Sequence, residues 1–492
     1  MNRTRALLTN SVILTATSVI VSVIGMYFNS YVSRRIGTQA MGIFALIMSV
    51  YIFAVTLAIS GIGLAATRLT AEEIAFGRHG GARAAMRRCL IFALIMGIFA
   101  AILLATCADF IGTKILHNAL TVRPLTILAI SLPFTSMSAA LTGYFNAMRQ
   151  VFRSGTALIM EQSVRVFACA QIFMWLAAGR GTEAACAAIA LGSVAGEIAG
   201  FIHRFAVYIF GRHDGSASPE VSRGLSARML KITIPMALSM YMKSALSSIK
   251  QVMTPICLEK SGASYVKALS DYGIINGMVV PLLLFPSCLL TAISALLVPE
   301  IAQLHVTDKR DTINRAVSRA FKLTLFFSTG ICAAMFLYAE QLSRSVYATS
   351  EAAFYIRIMS LTIPIIYFDN IVDGMLKGLN KQVSVVRINI VDTIATIVMI
   401  TLIVSKFGTG GYIVVFFLSE ILNAGLSIRR LMSTTACVFR VREWVIEPVA
   451  AALISLIIMG LFRHINQWAG IPLLLAIYVC VWGYLEARRK EC

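Results

Sequence analysis

Apolar stretches about as long as a membrane is thick recur along the whole chain, separated by short polar segments. A helix needs about 20 mostly apolar residues to cross a bilayer, and by that measure the pattern predicts about fourteen spans. No segment between them is long enough to fold as a soluble domain. The pattern therefore predicts an all-α polytopic membrane protein.

The apolar pattern of the first half repeats in the second half, 231 positions further along the chain. The repeated positions include a proline, a glycine and an acid, in the pairs Pro133 and Pro364, Gly143 and Gly374, and Glu161 and Asp392. Matched apolar halves with ionisable residues at membrane depth are typical of transporters that work by alternating access. We therefore expect the function to lie along a path through the membrane.

The repeat also predicts the domain organisation. Residues 1–210 form an N-terminal six-helix bundle, and residues 231–431 form a pseudo-symmetric C-terminal one. Residues 211–230, rich in turn-forming residues, form a cytoplasmic linker, and residues 432–492 hold two extra C-terminal helices. Because each half has an even number of spans, an axis along the membrane normal should relate the two bundles.

Composition and charge support a membrane location. Apolar residues make up 58% of the chain and charged residues 13%, whereas soluble domains are about 45–50% apolar and about 25% charged. With the N-terminus inside, one side of the membrane collects about 28 basic residues and the other about 10, as the positive-inside rule requires. Most of the net charge of +20 is thus explained by basic residues that set the orientation of the chain in the membrane. It predicts cytoplasmic N- and C-termini in the cytoplasmic membrane and argues against nucleic-acid binding.

Cysteine and histidine indicate no further chemistry. The ten cysteines lack the paired spacing of zinc or redox sites, and several lie within predicted spans, where cysteine acts as a small apolar residue. The six histidines are scattered. We expect no metal centre, no catalytic residues, and no cofactor beyond a coupling ion, Na+ or H+.

Charged residues within spans carry the strongest functional signal, because they are costly in lipid and usually face a cavity or a partner. Three of them are bases: Arg165 in the fifth span, and Lys243 and Lys250 in the seventh. Arginine and lysine bind phosphate, so these three are the candidates for binding an anionic substrate. The simpler alternatives are an ion pair for Arg165 and snorkelling towards the membrane surface for the lysines.

Acids accompany these bases within the spans, namely Glu161, Glu197, Asp369, Asp373 and Asp392. Glu161 lies four residues before Arg165 and on the same helix face, so one interpretation is a structural ion pair. The other is that the acids bind a coupling ion or exchange partners during transport. Asp369 and Asp373 would lie either near the cytoplasmic mouth or in a water-filled lumen.

Proline and glycine mark places where the helices bend or approach each other. Pro133 and Pro364 recur in both halves, and each is either a static kink or a working hinge. Gly192, Gly196 and Gly200 repeat every four residues. This spacing lets two helices pack closely in lipid.

Several short strings occur in an order and spacing that is specific when they are taken together. They are Ser33-Arg-Arg-Ile-Gly-Thr-Gln-Ala-Met-Gly42, Ser60-Gly-Ile-Gly63, Arg68-Leu-Thr-Ala-Glu72, Gly143-Tyr-Phe-Asn-Ala-Met148, Glu161-Gln-Ser-Val-Arg165, Val298-Pro-Glu-Ile-Ala302 and Leu376-Lys-Gly-Leu379. In these strings the chain resembles the stage V sporulation protein B family. That family is a polysaccharide-exporter branch of the multidrug/oligosaccharidyl-lipid/polysaccharide (MOP) flippase superfamily.

The resemblance implies two six-helix bundles around a central cavity, plus two extra helices. On our interpretation the two extra helices guide the lipid tail. The resemblance also implies a flippase for a polyprenyl-diphosphate-linked oligosaccharide or a peptidoglycan precursor. Lipid II flippases carry arginines within their first span. This chain has none between Arg5 and Arg34, so the resemblance does not single out lipid II.

The expected partners are a lipid-linked sugar and membrane lipids, and we expect a monomer. Three other functions stay open at this point. The first is a multidrug or organic-cation antiporter of the same superfamily. The second is a membrane-embedded glycosyltransferase, which the short predicted loops disfavour. The third is a scaffold that transports nothing and would tolerate neutralisation of every charge within the spans.

Overall fold

Every regular element that the structure describes is helical, as the sequence predicts. The computed structural model describes residues 3–177, 181–211, 224–290, 301, 310–435, 440–461 and 466–491. Most of the predicted linker, residues 212–223, lies outside the described residues, and residues 225–230 are helical. The predicted motif at 298–302 also lies outside them, apart from Ile301.

The helices up to residue 260 include several that are far longer than one membrane span. They are α1 (Arg3–Ile59), α2 (Ile62–Ala75), α3 (His79–Phe110), α4 (Val122–Ala129), α5 (Leu132–Ala147), α6 (Val151–Ile172), α7 (Gly181–Phe210) and α8 (Leu225–Lys260). Those that follow are α9 (Tyr265–Tyr272), α10 (Val280–Leu284), α11 (Arg310–Leu337), α12 (Ala339–Tyr347), α13 (Ala352–Met359), α14 (Ile363–Gly378), α15 (Gln382–Met399), α16 (Ser405–Thr435), α17 (Glu447–Leu461) and α18 (Gln467–Glu491).

Short turns of different winding adjoin several of these helices. The π-helical turns are Ile111–Ile115, Phe173–Ala177, Gly273–Val279, Ile400–Val404 and Arg442–Ile446, and the 3-10 turns are Ala119–Thr121, Phe285–Ser287 and Ser360–Thr362. Such turns interrupt the regular hydrogen-bond ladder of an α-helix. They therefore mark places where a span bends or ends.

The lengths of the helices are compatible with the predicted number of spans. Ten helical runs are long and apolar enough to cross a membrane, or eleven if the bent pair α4 and α5 is one span. Two of the ten, Thr15–Ala75 with 61 residues and Gln382–Thr435 with 54, are interrupted by the non-helical glycines Gly37 and Gly408. At about 1.5 Å per residue each of these two is long enough for two spans. With α8, which has 36 residues, the part of the chain that the structure describes is long enough for the fourteen predicted spans.

The chain divides into two compact units, and the division falls inside α8. Unit 1 comprises Met1–Phe28 and Ile36–Pro255, and unit 2 comprises Asn29–Arg35 and Ile256–Cys492. Most of the seventh span therefore packs with the N-terminal helices, although the sequence repeat places it in the C-terminal bundle. The predicted domain limits at residues 210 and 231 stay a prediction.

Prolines begin the second part of two interrupted spans. Pro133 lies in the first turn of α5, which is bent by 47° from α4, and Pro364 lies in the first turn of α14. Proline suits the first helical turn, where its missing N–H would have no partner in any case. A Cβ atom at Gly97 would lie 2.6 Å from the Pro133 Cα, so α3 packs directly on this break. The hinge role of both prolines stays a prediction.

Small residues let α2 and α5 cross closely in unit 1. A Cβ atom at Gly143 would clash with the Gly63 carbonyl oxygen, and Thr67 Oγ1 donates to the Gly143 carbonyl at 3.0 Å. The surrounding core is buried and apolar, and its largest side chains include Ile62, Leu69, Met86, Leu141 and Phe145. Two strings of the sequence resemblance, 60–63 and 143–148, thus meet at one helix crossing. Close approach of this kind is what holds helices together in lipid.

Candidate functional site

A stripe of glycines on α7 sets the distance between α6 and α7 in unit 1. Gly192 lies opposite Cys169, Gly196 opposite Arg165, and Gly200 opposite Glu161. A Cβ atom at any of the three glycines would lie only 2.7–2.9 Å from the Cβ of the residue opposite. The predicted close packing of this stripe is confirmed. It presses the charged side chains of α6 directly against α7.

Four charged side chains on α6 and α7 form one alternating row of acids and bases, which we call the charge row. Arg165 Nη2 lies 3.1 Å from Glu197 Oε1 and 3.5 Å from Glu161 Oε1. Both terminal nitrogens of Arg204 donate to the other oxygen of Glu161, Oε2, at 3.1 Å. The order is therefore Glu197, Arg165, Glu161, Arg204, and the formal charge of the row is zero.

Hydroxyl groups of α5 complete the hydrogen bonding at both ends of the charge row. Thr135 Oγ1 donates to Glu197 Oε2 at 3.1 Å, and Arg204 Nη1 lies 3.5 Å from Ser138 Oγ. Buried charges are tolerated in a protein only when they are both paired and hydrogen-bonded. The charges of the row are all paired, although Arg165 Nε and Arg204 Nε are buried without a hydrogen-bond partner among the described residues. The row is a neutral unit within the helix bundle.

Arg204 is the member of the charge row that sequence reasoning missed. It lies near the end of the predicted sixth span, where a basic residue suggests a topological charge. Its side chain is only 4% exposed, against 20% for Arg165. Arg204 follows Gly200 by four residues and therefore shares the face of α7 that packs on α6. The glycine stripe was the signal that could have identified it.

Arg165 is already shared by two carboxylates, both through its terminal nitrogen Nη2. A diphosphate that took the Nη2 donors would have to displace Glu197 or Glu161. Displacement would leave a buried carboxylate without its partner, which is strongly unfavourable. The ion pair, the simpler of the two sequence interpretations, describes Arg165 in this conformation. Its role in substrate binding stays a prediction.

Two of the predicted coupling acids, Asp369 and Asp392 in unit 2, have neutral hydrogen-bond partners. Asn423 Nδ2 donates to Asp369 Oδ2 at 2.8 Å, and Ser419 Oγ donates to Asp392 Oδ1 at 2.9 Å. Asp369 and Asp392 are buried, and Asp373 is half-buried. No lysine or arginine within the described ranges forms an ion pair with Asp369. No three His, Cys, Asp or Glu side chains of those ranges are placed to hold a metal ion.

Positions that the repeat matches differ in charge between the two halves. Thr396 lies 231 positions after Arg165 and donates to the Ser419 hydroxyl at 2.8 Å. Asp369 lies the same distance after Ser138. Acidic clusters attract cations, whereas the charge row of unit 1 is balanced within itself. The two halves therefore differ in the charge of their buried polar groups.

Lys243 lies near the middle of α8, at a cavity of about 260 Å³ in unit 1. The polar lining of this cavity, which we call the polar cavity, is Ser49, Thr56, Ser244, Ser247, Ser248 and Gln251. Thr56 Oγ1 donates to the Ser244 hydroxyl at 3.1 Å, so α8 is tied to α1 beside it. The Lys243 side chain is exposed and forms no hydrogen bond or ion pair in the described part of the chain. Its ammonium group has three donors to offer to a ligand.

Lys250 lies two turns further along α8 and is half-buried. It too has no ion pair among the residues described. It does not line the polar cavity. The structure therefore brings Lys243 together with a hydroxyl-lined site, and it leaves Lys250 and the charge row apart from that site.

The long apolar helices and the charged residues between them define a multi-pass membrane transporter. A family model described as polysaccharide biosynthesis protein matches residues 7–305, and one described as MatE matches residues 260–403. The first match spans more than half of the sequence, so the chain belongs to the polysaccharide biosynthesis protein family of the MOP superfamily. The resemblance drawn from the sequence is confirmed.

Curated relatives agree with this assignment. The chain is 24% identical to stage V sporulation protein B of Bacillus subtilis (strain 168), over 76% of this chain and 73% of that protein. It is 18% identical to the sporulation protein YkvU of the same organism, over 67% of this chain and 73% of that protein.

Solved structures show the same fold. The lipid II flippase MurJ in an inward closed conformation superposes with a TM-score of 0.73 at 12% identity, over 98% of this chain and 99% of MurJ. An inward-facing multidrug resistance MATE transporter superposes with a TM-score of 0.66 at 14% identity, over 87% and 99%. A MOP superfamily transporter from Pyrococcus furiosus, described by the reverse polarity of its binding pocket, superposes with a TM-score of 0.63 at 15% identity, over 87% of this chain and 95% of that protein. The predicted fold class is confirmed.

Proposed function

We propose that the protein is a flippase that moves a polyprenyl-diphosphate-linked oligosaccharide, or a related cell-envelope precursor, across the cytoplasmic membrane by alternating access. The observation that carries the proposal is the placement of Lys243, a cation without a protein partner, beside the polar cavity. An unpaired charge at membrane depth is expensive to keep, and such residues usually serve a substrate path. An anion is the ligand that would balance this charge.

The lining of the polar cavity fits a phosphorylated sugar. Lysine binds phosphate as a point charge, with hydrogen bonds assisted by that charge. The hydroxyl groups of Ser244, Ser247 and Ser248 and the amide of Gln251 can donate to and accept from sugar hydroxyls. The fold shared with the lipid II flippase MurJ supports a lipid-linked substrate.

The charge row has a different part in this proposal. It keeps α6 and α7 together as one neutral body while Lys243 receives the diphosphate. Arg165 is its more exposed base, and it would offer its Nη2 donors to a phosphate in a state in which Glu197 has left it. Lys250, two turns from Lys243, would take the diphosphate as it moves along α8.

We assign coupling to the acids of unit 2. Asp369 and Asp392 are buried with neutral partners, and Asp373 lies one turn from Asp369 on α14. A carboxylate that gains and loses Na+ or H+ in such surroundings changes the local charge by one. That change can be linked to a change of conformation.

The acidic cluster also favours a second candidate, the organic-cation antiporter. An antiporter would bind a cationic drug near Asp369, Asp373 and Asp392, and its transport activity would not depend on Lys243. The two candidates therefore differ in the charge of the ligand that they bind.

The experiment that separates them is native mass spectrometry of the purified protein with its bound lipids. The flippase proposal expects a co-purifying polyprenyl-diphosphate sugar whose signal is lost in Lys243→Ala and kept in Lys231→Ala. A preparation that carries no such lipid, and that exchanges protons for an organic cation in vesicles, would favour the antiporter instead.

A further inference from the structure

A second cavity lies along α8 beside the polar cavity, and its lining is apolar. It encloses about 330 Å³ between α3 and α8 in unit 1, near the lower end of the ~300–1,000 Å³ that ligand sites occupy. Its apolar walls are formed by Phe92 and Met96 on α3 and by Leu230, Ile234 and Leu238 on α8. We call it the apolar cavity.

The few polar side chains in this lining are already satisfied by the protein. The Ser60 and Tyr241 hydroxyls hydrogen bond to each other, and they also reach the Leu57 carbonyl, at 2.5 and 3.3 Å. Thr233 Oγ1 donates to the Met229 carbonyl at 3.0 Å. The hydroxyl hydrogens of the side chains described in this lining are all donated within the protein. An apolar chain therefore displaces no hydrogen bond when it enters.

A break between two helices borders the apolar cavity, since Ser60 is part of the lining. α1 and α2 are separated at Ser60 and Gly61, which have φ values of 46° and 72°. A Cβ atom at Gly61 would lie 3.1 Å from the Met236 Cβ, so α8 is packed tightly onto the break. At the rim, Ile234 and Leu238 are 60% and 67% exposed. The cavity is thus open sideways, and a long chain can enter it while its far end stays in the bilayer.

The two cavities follow one another along α8. Met240 lines the polar cavity and Tyr241 lines the apolar one. Lys243 lies about 8 Å along the helix axis from Leu238, at about 1.5 Å per residue. The order along the helix is therefore apolar wall, cation, hydroxyl groups. The same order of chemistry is found in an isoprenoid chain, a diphosphate and a sugar.

We propose that the apolar cavity holds the isoprenoid units next to the diphosphate of the lipid-linked substrate, an inference that rests on the proposed function. Lipid tails are as apolar as the cavity, so burial alone does not select its occupant. Selection comes from Lys243, which fixes the phosphate at one end of the cavity. This places the first part of the tail in unit 1 instead of at the two C-terminal helices.

The test is photo-crosslinking of the full chain in nanodiscs, with geranylgeranyl diphosphate that carries a diazirine on its first isoprene unit. Mass spectrometry should find the label on the cavity-lining residues Phe92 and Met96 of α3 and Leu230, Ile234 and Leu238 of α8. Met96→Trp fills the cavity and should lower the labelling about tenfold or more. Ile95→Trp is the matched control, because Ile95 is 59% exposed and lies outside the lining, and its labelling should match the wild type. Lys243→Ala should lower the labelling as well.

Three outcomes would overturn the inference. The first is label spread over lipid-facing residues such as Ile95, and the second is labelling that Met96→Trp does not change. The third is that excess phosphatidylglycerol competes with the probe as well as excess unlabelled geranylgeranyl diphosphate does, which would make the cavity a general lipid site. Flipping of the sugar-linked lipid is measured separately. If flipping is normal and the label lies elsewhere, the tail site is refuted and the proposed flippase function stands. If the label lies in the cavity and the lipid is not flipped, the flippase function is refuted and the cavity remains a binding site for an isoprenoid chain.

Discussion

Replacing Arg204 should expose the energetics of the charge row. Arg204→Met removes the two hydrogen bonds to Glu161 Oε2, each of 3.1 Å. The loss occurs in a buried place, because the Arg204 side chain is only 4% exposed. Removing one partner of a buried ion pair typically costs ~3–5 kcal/mol, because the other charge is left uncompensated. Glu161 keeps Arg165 at 3.5 Å. We therefore expect the lower end, about 3 kcal/mol.

The assay is a double-mutant cycle, read out as the free energy of unfolding in mixed SDS and dodecyl maltoside micelles. Glu161→Gln removes the orphaned charge, so the double variant with Arg204→Met should be more stable than Arg204→Met alone. Residues in one network show interaction energies of about 0.5–3 kcal/mol. Arg87→Met, at an exposed arginine, is the control and should be nearly neutral. Additive effects within about 0.3 kcal/mol would refute the pairing of Arg204 with Glu161.

Three further predictions concern packing, topology and coupling. Gly196→Ala should destabilise the protein by about 1–3 kcal/mol, whereas Gly425→Ala, where an added Cβ meets nothing within 4 Å, should be tolerated; equal melting temperatures would contradict the glycine stripe. In a cysteine-free background, an impermeant maleimide should label position 118 in intact cells and position 381 only after permeabilisation; the reverse pattern would invert the predicted topology. Asp392→Asn should remove the dependence of transport on a Na+ or H+ gradient while leaving binding of the lipid substrate intact, and an unchanged gradient dependence would exclude Asp392 from coupling.

The membrane spans could be predicted from the sequence, because their length and composition alone decide whether a helix can cross a bilayer. The Glu161–Arg165 contact could be predicted too, since residues four apart share a helix face. The partners on α7 could not. Whether Glu197 and Arg204 meet α6 depends on the rotation of α7 about its own axis, and only Gly192, Gly196 and Gly200 hinted at it.

The site at Lys243 was harder to predict, because its walls come from distant parts of the chain. Thr56 and Ser244 are 188 positions apart and yet their hydroxyls are 3.1 Å apart. The sequence repeat places α8 with the C-terminal helices, whereas the compact units of the structure place most of it with the N-terminal ones. Packing of one helix against another half of the chain leaves no periodic signal in either segment. The sequence could nominate Lys243, but not the cavities beside it.

The most direct test of the proposed function is the flipping of a fluorescent polyprenyl-diphosphate sugar in vesicles that contain the purified protein. Lys243→Ala should slow flipping about tenfold or more, as expected when a charge-assisted hydrogen bond is lost. Lys243→Arg keeps the charge and should retain most of the rate, and Lys231→Ala, at an exposed lysine outside both cavities, should flip as fast as the wild type. If Lys243→Ala flips the lipid at the wild-type rate with equal protein in the vesicles, Lys243 does not bind the diphosphate.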